Sequence, residues 1–114
     1  MPLLSITTNI EIDSASKPTT LKTLSEQVSQ ALGKPEQYVM ISLKHNPDML
    51  FAGSNEPLAY LELKSIGLPQ DQTTNLSDIL STTIETTFGI KADRIYIEFA
   101  NAERHMWGWN HGTF

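Results

Sequence analysis

The hydrophobic and polar residues of this chain follow a pattern that occurs twice. Residues 24–43, LSEQVSQALGKPEQYVMISL, align with residues 80–99, LSTTIETTFGIKADRIYIEF, so that Gly33 matches Gly89, 56 residues further along. In both segments apolar residues first recur at helical spacing, then meet the glycine, then alternate with a period of two. Each segment therefore predicts a helix, a glycine stop and a strand.

Both predicted helices carry one apolar stripe. The first stripe comprises Leu21, Leu24, Val28, Ala31 and Leu32. The second stripe comprises Leu76, Ile79, Leu80, Thr83, Ile84 and Phe88. Pro18 suits the first turn of a helix, where its missing N–H costs no intrahelical bond, and Gly33 suits the left-handed position after a helix end. The stripes predict two helices that each bury one side.

A strand is predicted before each helix, at LLSITTNI (residues 3–10) and at AYLELKSIG (residues 59–67). Each half is then a β-α-β unit with parallel strands and a right-handed crossover. We predict an α+β fold in which two repeated β-α-β units form a four-stranded sheet with two helices on one face. One domain is expected over residues 1–114, with repeat halves at about 2–45 and 58–100.

The predicted sheet has one face that no helix covers. Its strands are expected to carry apolar residues on that side as well, which favours a cover. A small ferredoxin-like monomer is the alternative, but in a chain of 114 residues self-association is the simpler source of burial. The sequence therefore predicts an oligomer.

Two segments lie outside the repeat. Residues 44–57, KHNPDMLFAGSNEP, predict a loop with a short extended piece around Leu50 and Phe51. The C-terminal segment 101–114 closes with RHMWGWNHGTF, which contains two tryptophans and two glycines. It is either a terminal strand or turn that packs aromatic residues on the core, or an aromatic wall around a small-molecule pocket.

Composition narrows the function classes. Thirteen acidic and eight scattered basic residues give a net charge of −5, which argues against a nucleic-acid partner. The chain has no cysteine, so disulfides and thiolate chemistry are excluded. His45, His105 and His111 have no familiar ligand spacing, and we expect neither a metal nor a cofactor. No apolar stretch approaches the ~20 residues that span a bilayer, so no membrane partner and a cytoplasmic location are expected.

Proline at position 2 offers a chemical group that no side chain supplies. Pro2 can begin a strand, because the first residue of a strand does not need a ladder N–H. Initiator methionine is commonly removed before proline, and its removal would leave Pro2 as a free secondary amine. Position alone does not decide between a strand start and a functional amine.

Several short motifs of the chain resemble the macrophage migration inhibitory factor family of the tautomerase superfamily, in its microbial type. These motifs are Pro2, Lys34 in ALGKPEQY, GSNEP at 53–57, SIG at 65–67, DRIYI at 93–97, and the closing GWN and TF. They occur in the family's order and at nearly its spacing, and the resemblance covers essentially all 114 residues.

The resemblance implies a homotrimer whose sheets line a barrel-like assembly and whose edge strands cross onto neighbouring subunits. It implies active sites between subunits, where the N-terminal proline is the base that moves a proton between the α-carbon and the oxygen of an enolisable keto acid such as phenylpyruvate. An apolar pocket and a nearby Lys34 would both disfavour the protonated amine of Pro2, whose pKa would otherwise lie at or above the ordinary 7.7–8.0 of a chain end.

The resemblance also implies a carboxylate-binding group. Lys34 and the backbone N–H of Ile66 would bind the substrate carboxylate, and Ser65 belongs to the same motif. Lys64 is a second cation for the pocket mouth. A solvated side chain remains the alternative for both lysines, and for Lys34 this would be a lysine beside a helix C-terminus.

The remaining implied site residues are mostly aromatic. Tyr96 would come from a neighbouring subunit as a polar group of the pocket, although it is also an ordinary strand residue. The residues implied as aromatic walls for a phenyl ring are Tyr38, Trp107, Trp109 and Phe114.

Two positions depart from the family pattern. Glu98 stands where the mammalian cytokine has asparagine, and its charge could repel an anionic substrate. Residues 58–61, LAYL, replace a Cys-x-x-Cys segment, so the thiol redox activity credited to the family is not carried over.

The sequence thus predicts a keto–enol tautomerase without a cofactor, acting on a small-molecule keto or enol substrate. The alternative is a cytokine-like or receptor-binding protein with a vestigial pocket. Because the mammalian relative is exported without a signal peptide, release from the cell stays open beside the cytoplasmic location.

Overall fold

The chain folds as two successive β-α-β units and a short C-terminal hairpin. The computed structural model describes residues 1–114. The first unit comprises β1 (Leu3–Thr8), α1 (Lys17–Leu32) and β2 (Met40–His45). The second comprises β3 (Ala59–Ile66), α2 (Thr73–Phe88) and β4 (Ile95–Ala102). The hairpin comprises β5 (Gly108–Trp109) and β6 (Gly112–Thr113), and four short 3-10 turns lie at Glu36–Tyr38, Gln70–Gln72, Ala92–Arg94 and Arg104–Met106.

The four long strands form one mixed sheet in the order β2-β1-β3-β4. Strand β1 is parallel to β2, and β3 is parallel to β4. The two units meet through the antiparallel pair of β1 and β3, in which Leu3 lies opposite Lys64 and Thr8 opposite Ala59. The predicted fold of two β-α-β units in a four-stranded sheet is confirmed.

Both helices end where the glycines predict. Gly33 and Gly89 follow the two helices with φ of 62° and 70°, in the left-handed region that side chains with a Cβ disfavour. Pro18 lies in the first turn of α1, as expected. Each α-helix has 16 residues, and neither is long and apolar enough to cross a membrane.

The core lies between the two helices and one face of the sheet. It is formed chiefly by Leu4, Ile6, Leu24, Val28, Leu61, Leu63, Leu76, Leu80, Ile84 and Ile90. Thr8 is a buried polar residue of β1, and its hydroxyl donates a 2.7 Å hydrogen bond to the Leu58 carbonyl. Because the central strands β1 and β3 bury alternate residues, the helices cover one side of the sheet only.

The opposite side of the sheet, here called the open face, is more polar than the sequence analysis expects. By strand alternation and register it carries Leu3, Ser5, Thr7, Met40, Ser42, Lys44, Tyr60, Glu62, Lys64, Ile66, Tyr96, Glu98, Ala100 and Ala102. Its apolar members other than the tyrosines are Leu3, Met40, Ile66, Ala100 and Ala102, and seven of the others are polar or charged. The expectation that an apolar open face needs a cover is therefore wrong, and oligomerisation needs another argument.

The loop between the two units contains no strand. The extended piece predicted around Leu50 and Phe51 is reduced to one bridge, in which Phe51 and Ser54 exchange backbone hydrogen bonds of 3.0 Å each. Ala52 and Gly53 between them have φ of 53° and 72°. Two consecutive positive φ values are typical of the mirror-image tight turn.

Candidate active site

A cleft of about 280 Å³ opens at the N-terminal end of β1. Eight of its eleven lining residues are hydrophobic, so the cleft is mainly apolar. The predicted site residues that line it are Pro2, Tyr38, Trp107, Trp109 and Phe114. The structure thus brings the proline and the predicted aromatic residues together within one chain.

Pro2 is held by its neighbours on both sides in the sheet. Its side chain is buried, and its carbonyl accepts a 2.9 Å hydrogen bond from the Met40 N–H. Continuing the β1–β3 register by one residue places Pro2 opposite Ser65. The ring of Pro2 therefore has a fixed place where three strands meet.

The chain-end amine beside this cleft is electrostatically unusual. Burial, and to a smaller extent the charge of Lys34, lower the pKa of the Met1 α-amino group below its ordinary value of 8.0. Both causes disfavour the protonated form. An amine in this place is therefore more often neutral at pH 7 than one in water.

Lys34 follows the glycine that ends α1, and its backbone is fixed on that helix. Its N–H donates a 3.1 Å bond to the Ser29 carbonyl, and the Ser29 hydroxyl donates a 2.6 Å bond to the Lys34 carbonyl. The residue is half-buried and forms no ion pair. Although Lys34 does not line the cleft, its charge acts on the chain end and has no carboxylate to neutralise it.

The C-terminal hairpin supplies most of the aromatic wall. Asn110 and His111 turn with positive φ of 51° and 67°, which folds β6 back onto β5. The rings of Trp109 and Phe114 then stack at 5.2 Å, and Tyr38 meets both edge-on at 5.5 and 5.7 Å. The segment is both a terminal hairpin and an aromatic wall, because the hairpin carries aromatic residues that line the cleft.

The SIG motif ends β3 without lining the cleft. Ser65 and Ile66 are buried, and they lie past the point where β1 pairs with β3. The turn after Ile66 is fixed by Asn101, whose side-chain oxygen accepts a 2.9 Å bond from the Leu68 N–H. Lys64 is exposed on the open face and pairs with Glu62 at 3.6 Å.

Tyr96 does not lie with Pro2 in the same chain. Tyr96 on β4 pairs with Tyr60 on β3, and Tyr60 in turn lies opposite Thr7 on β1. Thr7 is five residues along β1 from Pro2, and β1 is two strands away from β4. Strand spacing puts Tyr96 and Pro2 roughly 15–20 Å apart. A site that contains both residues therefore needs a second chain.

Glu98 lies beside Tyr96 on the open face and is held there by Tyr60. The Tyr60 hydroxyl is 2.9 Å from Glu98 and 3.1 Å from Glu62, and its single proton can be donated to one carboxylate at a time. The hydrogen bond to Glu98, followed by desolvation and by Glu62, raises the pKa of Tyr60 to about 12. Like Tyr96, Glu98 is not part of the cleft of its own chain.

Six of the residues that line the cleft were not assigned to it from the sequence, which are Met1, Leu3, Gln37, Val39, Met40 and Gly108. Met40 is also 64% exposed. The position of Met40 could have been predicted from the sequence. A strand that is parallel to β1 and starts at the same level places its first residue beside the start of β1.

Another cleft, of about 390 Å³, lies between the start of α1 and the free edge of β2. Lys17, Ser42 and His45 are among its lining residues, and no predicted site residue is. No group of three or more histidine, aspartate or glutamate side chains is arranged to hold a metal ion.

Comparisons with known proteins agree along the whole chain. The family model described as "Macrophage migration inhibitory factor (MIF)" matches residues 1–114. The macrophage migration inhibitory factor of Mus musculus is 35% identical, and the homolog of Brugia malayi is 38% identical; each match covers 100% of this chain and 99% of the relative. The crystal structure of a homologue from Prochlorococcus marinus superposes with a TM-score of 0.90 at 41% identity, over 98% of both chains. The chain therefore belongs to the macrophage migration inhibitory factor family, within the tautomerase superfamily.

Proposed function

We propose that this protein is a keto–enol tautomerase for phenylpyruvate-like α-keto acids, with Pro2 as the general base once Met1 is removed. One observation carries the proposal. The chain-end amine lies beside an apolar, aromatic-lined cleft, and burial and Lys34 lower its pKa. After removal of Met1, the Pro2 nitrogen would become the amine that experiences this environment.

The reaction needs a base that is neutral near pH 7. The Pro2 nitrogen takes a proton from the carbon next to the keto group, and the C–H electron pair forms the new C=C bond while the carbonyl electrons move to oxygen. The protonated Pro2 nitrogen then gives this proton to the enolate oxygen, so the enol forms and the neutral base is regenerated. With Met1 attached, the same nitrogen is a tertiary amide whose lone pair is delocalised into the carbonyl, and it cannot act as a base.

The carboxylate and the phenyl ring of such a substrate each have a suitable partner at or near the cleft. Lys34 has no carboxylate partner of its own, which supports a role in binding the substrate carboxylate. The Ile66 N–H, Ser65 and Lys64 would assist it, and Lys64 would have to exchange Glu62 for the substrate. The aromatic cluster of Tyr38, Trp109 and Phe114, with Trp107 beside it, offers faces and edges to a phenyl ring.

The proposed active unit is a homotrimer with its sites between subunits. Because Tyr96 is too far from Pro2 in its own chain, Tyr96 and the adjacent Glu98 would enter the pocket from a neighbouring subunit. In that arrangement Glu98 would be a negative charge beside an anionic substrate and would disfavour substrates with additional negative charge.

The test combines intact mass with phenylpyruvate turnover on the same preparations. We expect turnover from the processed chain, none from a chain that retains Met1, and a loss of at least about 100-fold in Pro2→Gly. Equal turnover with and without Met1 would remove Pro2 from the mechanism. No turnover by the processed chain on phenylpyruvate or aliphatic keto acids would favour the receptor-binding alternative with a vestigial pocket.

A further inference from the structure

Arg94 makes a set of contacts that the site described so far does not use. It is the last residue of the turn that precedes β4. Its guanidinium donates hydrogen bonds to four backbone carbonyls, at 2.6 Å to Phe51, 3.0 Å to Ser54, 2.9 Å to Glu56 and 3.4 Å to Pro57. No carboxylate pairs with it. The side chain therefore acts as a clamp on the loop that leads into β3.

The clamp closes on the tight turn at residues 51–54. The carbonyls of Phe51 and Ser54 already accept backbone hydrogen bonds across this turn, so Arg94 uses the second lone pair of each oxygen. A planar guanidinium has five donors in a fixed fork, whereas an ammonium has three around one point. Lysine at position 94 cannot span these four carbonyls.

The clamp places an aromatic ring against Tyr96. The Phe51 ring centroid lies 5.1 Å from the Arg94 guanidinium carbon and 4.5 Å from the centroid of the Tyr96 ring. Tyr96 is 66% exposed, and Phe51 is the aromatic ring that packs against it and restricts its rotamers. The Arg94, Phe51 and Tyr96 side chains therefore form one contiguous cluster, in which the two rings are tilted by 45°.

We propose that Arg94 is a positioning residue of the active site, because it holds Phe51 against Tyr96 and so fixes where the Tyr96 hydroxyl points. This inference rests on the proposed function, in which Tyr96 contacts a substrate bound beside Pro2 of the adjacent subunit. A binding group must be held closely to be effective, since an error of about 1 Å can reduce a rate on the order of 100-fold. Arg94 itself does not touch the substrate.

The experiment is a double-mutant cycle on the processed protein. Arg94→Lys and Phe51→Leu are each measured alone and in a Tyr96→Phe background, with steady-state kinetics on phenylpyruvate. Lys91→Gln is the matched control, because Lys91 directly precedes the same turn and its exposed side chain forms no hydrogen bond or ion pair. Phe51→Leu leaves the clamp intact, since Arg94 binds the backbone of residue 51, and it carries the test if Arg94→Lys does not fold.

We expect Arg94→Lys, Phe51→Leu and Tyr96→Phe each to raise KM about 10-fold with kcat within about 2-fold, and the double variants to be no worse than Tyr96→Phe alone. The ring-current shift that Phe51 imposes on the Tyr96 ring in NMR spectra should shrink in Arg94→Lys. An unchanged KM in folded Arg94→Lys, or losses that add in the Tyr96→Phe background, would overturn the inference. If the processed wild-type protein shows no turnover, the proposed function is wrong. The ring-current shift of Tyr96 in wild type and in Arg94→Lys would then decide by itself whether Arg94 fixes the Tyr96 side chain.

Discussion

At the scale of single residues, the proposed chemistry depends on where charges lie relative to one amine. Lys34 does not line the cleft, yet its charge lowers the pKa of the chain-end amine. The same charge is left unpaired, which makes it available to a carboxylate. One lysine can therefore serve two functions, and the two can be separated by experiment.

Replacing Lys34 with glutamine should change both pH dependence and binding. The loss of the positive charge should raise the pKa of the amine toward its ordinary value, so the acid limb of the kcat/KM profile should move to higher pH. Loss of the carboxylate partner should also raise KM by about 10-fold or more. A pH–rate profile of Lys34→Gln beside the exposed-surface control Lys22→Gln measures both effects. An acid limb that stays in place would mean that Lys34 does not act on the base.

The hydroxyl of Tyr60 gives a second prediction at this scale. Its pKa is raised to about 12, chiefly by the hydrogen bond to Glu98, so the folded state holds this proton more tightly than the unfolded chain. The resulting stabilisation is complete below the ordinary tyrosine value near 10 and is lost as the pH rises toward about 12. Ultraviolet titration of the three tyrosines should show one late transition, and Tyr60→Phe should abolish it. Three equal transitions would contradict the hydrogen bond to Glu98.

At the scale of elements, local signals in the sequence were sufficient to predict where the helices end, but not to predict which site residues lie together in one chain. The ends of α1 and α2 follow from Gly33 and Gly89, because a left-handed residue is a local requirement. The separation of Tyr96 from Pro2 depends instead on the antiparallel pairing of β1 with β3, which joins distant parts of the chain. No periodicity within one segment specifies that pairing.

The repeat provides a matched pair of variants for testing the helix ends. Gly33→Ala and Gly89→Ala each force an L residue to a φ near +65°, and a Cβ at either position meets no atom within 4 Å. Backbone strain alone should therefore cost each variant about 1 kcal/mol in urea unfolding at one fixed protein concentration. Only Gly33→Ala should also raise KM, because residue 33 leads directly into Lys34. Equal KM values in the two variants would argue against a role for Lys34 in binding.

At the scale of the whole molecule, the argument for the proposed assembly differs from the one that the hydrophobic pattern suggested. The alternation of Tyr60, Glu62 and Lys64 along β3 already marked a polar face, so that error was avoidable from the sequence. The remaining argument is geometrical. Pro2 and Tyr96 face different places on one chain, and exposed apolar side chains occur at Met40, Leu50 and Trp109, the first and last of which line the cleft.

Subunit mixing tests this geometry directly. Pro2→Gly lacks the base, and Tyr96→Ala lacks both the hydroxyl and the ring that would contact the substrate. Assayed at a substrate concentration well below the wild-type KM, each pure protein should therefore lose most of its activity. If each site takes Pro2 from one chain and Tyr96 from its neighbour, an equimolar mixture that is unfolded and refolded together should regain intact sites, at about a quarter of the total for random assembly. The mixture should sediment at three times the 12.7 kDa subunit mass. If the activity of the mixture stays at the average of the two pure variants, either both residues belong to a site within one chain or Tyr96 is not part of the site. A sedimentation mass near that of one subunit would contradict the trimer. Recovery of activity requires both chains in one assembly, because neither variant alone contains a complete pair.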